Sequence, residues 1–389
     1  MLFHQPALGA EAWADGLLPG EFGDVDLGRP LVEPARFPTI RELRQSVGRP
    51  EIRPVLVFKL FSSGDNHHLP AWSEDGQRLA LQQSDLSGES SRLLVFGSLA
   101  EARPARLTDR PRAYDYMFRW AVNAPASYSF VRIESAIAGS RVEVSLEGRR
   151  PECRTPEPGR RDGPALCRRA DGAWCLVYSE KGDLMRRVWN DSGPSEKPQT
   201  LTRGSAPRWS RDGQRLLLVR ERPGGGTPAC DVVVRNLGTE TEVLLAGGEE
   251  GMVRSPTWSP DERYAAFYVR RPGESQPWRI RVAPADAHGP AITLADNVVV
   301  NLDFASEGPS WEPSSRRVWF FSHEHRAQAY YPMAAAEVPS GKLALVDYPA
   351  RCTTPNDLAV HPRSIVPEIA LVAHDGLPQD LLLVLCNHY

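Results

Sequence analysis

The chain has 389 residues, 46 Lys or Arg against 49 Asp or Glu, for a formal net charge of -3 with 24% charged residues. That balance lacks the cationic field of a nucleic-acid binder, and no stretch approaches the roughly 18 apolar residues of a membrane helix, so neither nucleic acid nor a membrane is expected as a partner. The 35 prolines and 31 glycines are spread along the whole chain, which suits many short strands and turns better than long helices.

Residues 1–52 read as an arm. Their start, "MLFHQPALGAEAWADGLLPGEFGD", lacks the basic and apolar regions of a secretory signal, so a cytoplasmic location is expected. "PTIRELRQSVG" predicts a short helix, with Thr39 and Glu42 at capping-box spacing and Gly48 as its stop. "PVLVFKLFS" at 54 to 62 is the first strand.

"LPAWSEDGQRLALQ" follows at Leu69 and is then repeated: "APRWSRDGQRLLLV" at Ala206, "SPTWSPDERYAAFYV" at Ser255 and "GPSWEPSSRRVWFF" at Gly308. With weaker copies marked by Trp120, Leu166 and Val360, the markers lie at 72, 120, 166, 209, 258, 311 and 360, 43 to 53 residues apart. The first unit divides into "LPAWS", "RLALQQS", "RLLVFGS" and "ARLT", which we term strands A to D. Asp75-Gly76 supplies the left-handed position of the A–B turn; where Glu262 and Ser315 replace glycine, a different turn geometry is expected. The marker Trp is read as a packing wedge between neighbouring units. After Val360 the chain has room for strands A to C only, so the strand at 54 to 62 is expected to complete the last unit and remove the open edges. The six cysteines are scattered, without a C-x-x-C pair, and are expected as free thiols.

These copies resemble the TolB-type, WD40-like repeat, approximately P-x-W-S-P-D-G-x-x-[ILV]-A-[FY], best at "SPTWSPDERYAAFYV". The resemblance implies an all-β, seven-bladed β-propeller of four-stranded blades over 53–389, with 1–52 as a separate arm. It implies no activity, because such propellers serve as scaffolds, substrate gates and occasionally enzymes.

Three chemistries can be set against these residues. A prolyl oligopeptidase would add a hydrolase domain with a G-x-S-x-G elbow, and the sequence contains none. A lyase similar to the oligogalacturonate lyases would need a divalent metal. His67, His323, His325 and His374 fall in connections on the face of the D–A and B–C loops, whereas His361 falls in an A–B turn on the other face. The family's H-P-H-P-S motif is reduced here to "HHLPAW", and Ser255 stands where another family histidine is expected. Carboxylate catalysis by Asp65, Glu324 and Asp375 carries no specific signal among 49 acidic residues. The reading is therefore a non-catalytic scaffold for another protein, with no catalytic residue and no cofactor; a divalent metal on the four histidines is the alternative. Expected contacts are the arm, Tyr330, Tyr331 and Met333 in the 323–342 segment, and Arg149, Arg150, Arg160 and Arg161 in the Pro-rich loop at 147–163.

Overall fold

In the computed structural model the described residues are 53–387, excluding 62, 64, 86–88, 98–103, 109, 111, 136–138, 148, 150, 156–158, 160, 191–196, 223–228, 271–277, 301–307, 323–332, 347–356, 365–367 and 374–379. The expected arm and its helix lie outside them. Among the described residues every regular element is a strand, and the strands pair into three four-stranded and two eight-stranded sheets. Each eight-stranded sheet is two four-strand units in succession. The inner strands, one per unit, are Asn66–Trp72, Tyr114–Ala121, Arg161–Arg168, Ser205–Trp209, Met252–Trp258, Ser310–Trp311 and Asp357–Val360; we number the units in that order. The outer strand of unit 7 comes from the other end of the chain: Arg53–Phe61 runs antiparallel to Asp380–Asn387, with Phe58 opposite Leu383. The strand exchange expected at 54 to 62 is thus present.

The inner strands share a defect that explains the P-x-W spacing. Three residues before the marker in units 1 to 6 the backbone is left-handed, at Leu69 (φ 50°), Met117 (53°), Gly163 (56°), Ala206 (51°), Ser255 (49°) and Gly308 (100°). In units 1 to 5 the ladder to strand B skips there, for instance between His68 and Ala71 and between Arg254 and Thr257. Such a bulge leaves a peptide unpaired. Proline, which has no N–H to lose, is suited to that place, and Pro70, Pro164, Pro207, Pro256 and Pro309 follow the left-handed residue.

The inner strands also bond sideways, from unit to unit. Trp72 Nε1 donates to the Ala359 carbonyl (3.2 Å), Trp120 to Ala71 (2.9 Å), Trp209 to Ala165 (3.0 Å) and Trp258 to Arg208 (3.3 Å). Each acceptor is the residue before the marker in the preceding unit. Trp311 instead reaches Thr257 Oγ1 at 3.2 Å. Bonds run the other way too, from Thr257 Oγ1 to Pro309 O and from Ser310 Oγ to Leu358 O, both 3.0 Å. Unit 3, which has Leu166 at the marker, is held by backbone: Val122 N–H donates to Leu166 O and Arg168 N–H to Val122 O, each at 3.0 Å. These links close a ring, and the marker Trp is a hydrogen-bonded staple as well as the expected wedge.

The cores lie between units. Cys167 and Val177 of unit 3 pack with Trp209 and Leu218 of unit 4; Trp319 and Phe321 of unit 6 pack with Ile369 and Val384 of unit 7. The deepest tryptophans, Trp174, Trp278 and Trp319, are not repeat markers. Removing an aromatic of that size from water stabilises by about 4 kcal/mol on area grounds. Met333 belongs to the same core: it is fully buried, opposite Phe321 and Val346. The expectation of Met333 as an interface anchor is corrected, since its strand turns the thioether inward. Cys167, Cys175, Cys230 and Cys386 are free, buried thiols.

Candidate functional site

The A–B turns gather around one end of the central channel, and a Ser-x-Asp clamp shapes them. Ser73 Oγ donates to Asp75 Oδ1 (2.6 Å) and accepts from the Arg78 N–H (2.9 Å), while Gly76 N–H donates to Ser73 O (2.8 Å). Ser259, Asp261, Glu262 and Tyr264 repeat this at 2.7, 3.0 and 2.8 Å. Glu262 (φ 57°) and Ser315 (φ 60°) take the left-handed conformation of Gly76 (69°) and Gly213 (68°). The expected change of turn geometry is therefore corrected: the turn keeps its form without glycine, with the clamp at Glu262 and with the Ser315 N–H to Glu312 O and Glu312 N–H to Arg317 O bonds at Ser315. A side chain there costs about 1–2 kcal/mol, and at Glu262 the strained position supplies a carboxylate to the channel mouth.

That mouth opens on a cavity of about 360 Å³ walled by Trp72, Trp120, Trp209 and Trp258. A second hollow of about 330 Å³ shares three of these and extends to Trp311. Glu74 and Arg211, each two residues past its marker, meet across the mouth with Nε 3.1 Å from Oε1. Glu262 accepts from the Arg211 backbone N–H and from Arg215 Nη2 at 2.5 Å. Arg363 Nε donates to the Glu74 carbonyl at 3.1 Å. Deeper, the buried Arg119 donates to Pro207 O at 3.0 Å and to Gly163 O and Pro164 O at 3.4 Å, spanning units 2 to 4. The Arg211–Glu74 pair is too exposed, at 62% and 33%, to add much stability. Its effect is to fix directional charge over aromatic walls.

His361 lies in an A–B turn, as expected, and acts at the seam of units 7 and 1. Its Nδ1 accepts from the Arg363 N–H (3.2 Å), so Nε2 donates to Gly76 O (3.1 Å), and the ring meets Trp72 edge-on at 4.7 Å.

On the opposite face, His67 is the only one of the four candidate metal ligands within the described residues; His323, His325 and His374 lie outside them. Its ring is fully buried, with Nε2 3.1 Å from Ser63 Oγ and 3.5 Å from Gln83 Nε2. Gln83 in turn accepts from Arg92 (2.6 Å), which pairs with Asp65 at 2.8 Å. Among the described residues no group of three or more His, Cys, Asp or Glu side chains is placed to hold a metal. Tyr330, Tyr331, Arg150 and Arg160 also lie outside the described residues, and Arg149 is exposed. Arg161 is a correction: it is buried, 3.0 Å from Glu180 and stacked 5.9 Å from the Tyr178 ring, because its strand is the inner strand of unit 3.

His68 carries a pH prediction. Its Nε2 is 3.1 Å from Ser84 Oγ, and burial, with the charge of His67 adding, lowers the imidazole from 6.5 to about 4. The unfolded chain therefore binds this proton between those values while the folded chain does not. Stability from this group is fully present above pH 6.5 and is lost as pH falls toward 4, by about 3 kcal/mol in all. We expect His68→Gln to flatten the melting temperature against pH over that window; an unchanged slope would refute the assignment.

The sequence holds a signal for this mouth as well. The repeat signature has proline two residues past the marker, and Glu74 and Arg211 depart from it with opposite charges.

No protein-family model matches the chain, and no curated protein does. Solved structures do. The β-propeller domain of Myceliophteria thermophila Cps50 (Swd1) aligns with a TM-score of 0.54 at 10% identity, over 85% of this chain and 98% of that one. A prolyl endopeptidase aligns with a TM-score of 0.52 at 13% identity, over 84% of this chain and 50% of that one. TolB from Acinetobacter baumannii aligns with a TM-score of 0.44 at 15% identity, over 77% of this chain and 65% of that one. The chain thus spans less than two thirds of the TolB and prolyl endopeptidase chains. At these identities the likeness defines the fold, a β-propeller.

Proposed function

We propose that this chain is a seven-bladed, non-catalytic propeller scaffold that holds a protein partner on the A–B face. The observation that carries the reading is the Glu74–Arg211 bridge across a tryptophan-walled mouth. Trp and Arg are the residues that dominate binding energy at interfaces, and each carboxylate of the mouth lies against a guanidinium. Such pairing suits recognition of a partner's own charges more than proton transfer. The contact is moved from the loops expected in the sequence to the channel mouth.

The test is affinity capture under native conditions with wild type, Arg211→Glu and the swap Glu74→Arg/Arg211→Glu. A partner retained by wild type and reduced roughly tenfold or more by Arg211→Glu, with melting unchanged, supports the reading. A partner indifferent to both variants would place the contact elsewhere. Near-stoichiometric metal that disappears in His67→Ala, together with turnover, would replace the scaffold by a metal enzyme on the histidine face.

A further inference from the structure

We infer that the partner enters this mouth with an acidic segment, its carboxylates on Arg211 and Arg363 and a neighbouring aromatic side chain against the tryptophans. The inference rests on the partner face proposed above and names the chemistry that face reads. What the mouth can still bond follows from what its own contacts use. The four wall indoles of Trp72, Trp120, Trp209 and Trp258 each donate their N–H to a backbone carbonyl of the preceding unit, so they offer a ligand only ring surface. The carboxylates are engaged as well. Glu74 Oε1 accepts from Arg211 Nε at 3.1 Å, and its Oε2 faces the Asn123 N–H at 3.5 Å. Glu262 accepts from the Arg211 N–H with one oxygen and from Arg215 Nη2 with the other.

Guanidinium donors remain. The side chains of Arg211 and Arg363 each bond through Nε, Arg211 to the Glu74 carboxylate and Arg363 to the Glu74 carbonyl, both at 3.1 Å. Among the described residues the Nη1 and Nη2 groups of these two side chains make no hydrogen bond or ion pair. Both side chains are exposed, Arg211 to 62%. Their roots are held: the Arg363 N–H donates to His361 Nδ1 at 3.2 Å, and His361 Nε2 donates to Gly76 O at 3.1 Å, which ties the unit 7 turn to the turn that carries Glu74. A guanidinium anchored at Nε turns its remaining N–H groups to the paired oxygens of a carboxylate. Arg211 belongs to unit 4 and Arg363 to unit 7, so acceptors are wanted at two places on the rim. A segment with acidic side chains supplies them, and a single chain terminus does not. A basic segment would meet the same forks with like charge. The cavity of about 360 Å³, within the roughly 300–1,000 Å³ of small-ligand pockets, takes the aromatic side chain.

The experiment is calorimetric titration of the full chain at low ionic strength with three capped tripeptides, acetyl-Glu-Trp-Glu-amide, acetyl-Gln-Trp-Gln-amide and acetyl-Lys-Trp-Lys-amide. Saturable binding of the glutamate peptide is expected, weakening as salt is raised. The glutamine peptide should bind roughly tenfold or more weakly, and the lysine peptide more weakly still. Arg211→Gln and Arg363→Gln should each weaken the glutamate peptide about tenfold with melting unchanged. Arg363→Lys, which keeps the charge without the fork, should fall between. Arg263→Gln, in the unit 5 turn, removes a guanidinium already engaged by Asp261 at 2.6 Å and should bind like wild type. No saturable binding of the glutamate peptide, equal binding of the lysine peptide, or indifference to both Arg211→Gln and Arg363→Gln overturns the inference. The two readings fail separately. A captured partner lost with Arg211→Glu, beside a glutamate peptide that does not bind, keeps the partner face and removes its acidic ligand; peptide binding without any captured partner keeps acidic-segment recognition and removes the scaffold.

Discussion

Arg132→Met is expected to destabilise the protein by about 3–5 kcal/mol. Arg132, on strand B of unit 2, holds Asp115 with two bonds of 2.7 and 2.9 Å and Glu143 with one of 2.7 Å. The three side chains are 8%, 1% and 6% exposed, so the charges balance one another almost out of reach of water. Burial pushes the Glu143 carboxyl above its ordinary value, against the pull of Arg132 and with Asp115 adding to the rise. Removing the guanidinium leaves two carboxylates together in a dry place. The deficit should be greatest at neutral pH and shrink in acid, as the already raised Glu143 carboxyl takes a proton. Urea melts of wild type, Arg132→Met and a triple variant with apolar residues at Asp115, Arg132 and Glu143 would check this. The triple variant should recover most of the loss, since an apolar cluster of matched volume often replaces a buried ion network at no net cost. A single variant as stable as wild type would sink the argument.

Gly308→Ala should cost about 3 kcal/mol or more, through strain and overpacking acting together. Gly308 has φ of 100°, outside what a side chain tolerates, and a Cβ there would lie 2.6 Å from Thr257 Cγ2 and closer still to the Ser255 carbonyl oxygen. Neither neighbour can yield easily: Ser255 is itself the left-handed residue of unit 5, and Thr257 Oγ1 is bonded to Pro309 and Trp311. Leu69→Ala makes the useful contrast, because Leu69 fills the equivalent position with φ of 50°, where a Cβ is already accommodated. Thermal melts should show a much larger drop for Gly308→Ala in backbone terms, with Leu69→Ala losing only its side-chain burial. Equal behaviour of Gly308→Ala and wild type would mean that the inner strands can shift apart.

The fold was legible because the repeat prints its own punctuation. Proline two residues before the marker, the marker itself and Asp-Gly after it located the inner strands and their turns, and the missing last strand forecast Arg53–Phe61. Two things were not legible. The left-handed bulge has no fixed residue type, being Leu, Met, Gly, Ala or Ser, because the sideways bonds of the next peptides hold it, not an intrinsic preference. Burial of Met333 and Arg161 was also hidden, since a segment rich in aromatics or arginines looks alike whether its strand faces a core or water. The site was half-visible. Glu74 and Arg211 stand out against the repeat signature, but only the ring brings residues 137 positions apart into contact. Arg363 resembles any loop arginine until the seam of units 7 and 1 places it on Glu74.

The pairing of Arg53–Phe61 with Asp380–Asn387 also sets a timetable. On the ribosome the first strand of the propeller emerges before any of the units, yet its partner is made only after all the other described strands. At roughly 5–20 residues per second, that strand waits on the order of tens of seconds with its backbone edge unsatisfied. The nascent chain must carry an open-edged, incomplete ring until the seventh unit is made, so the period of greatest exposure to chaperones and to aggregation is built into the order of the strands.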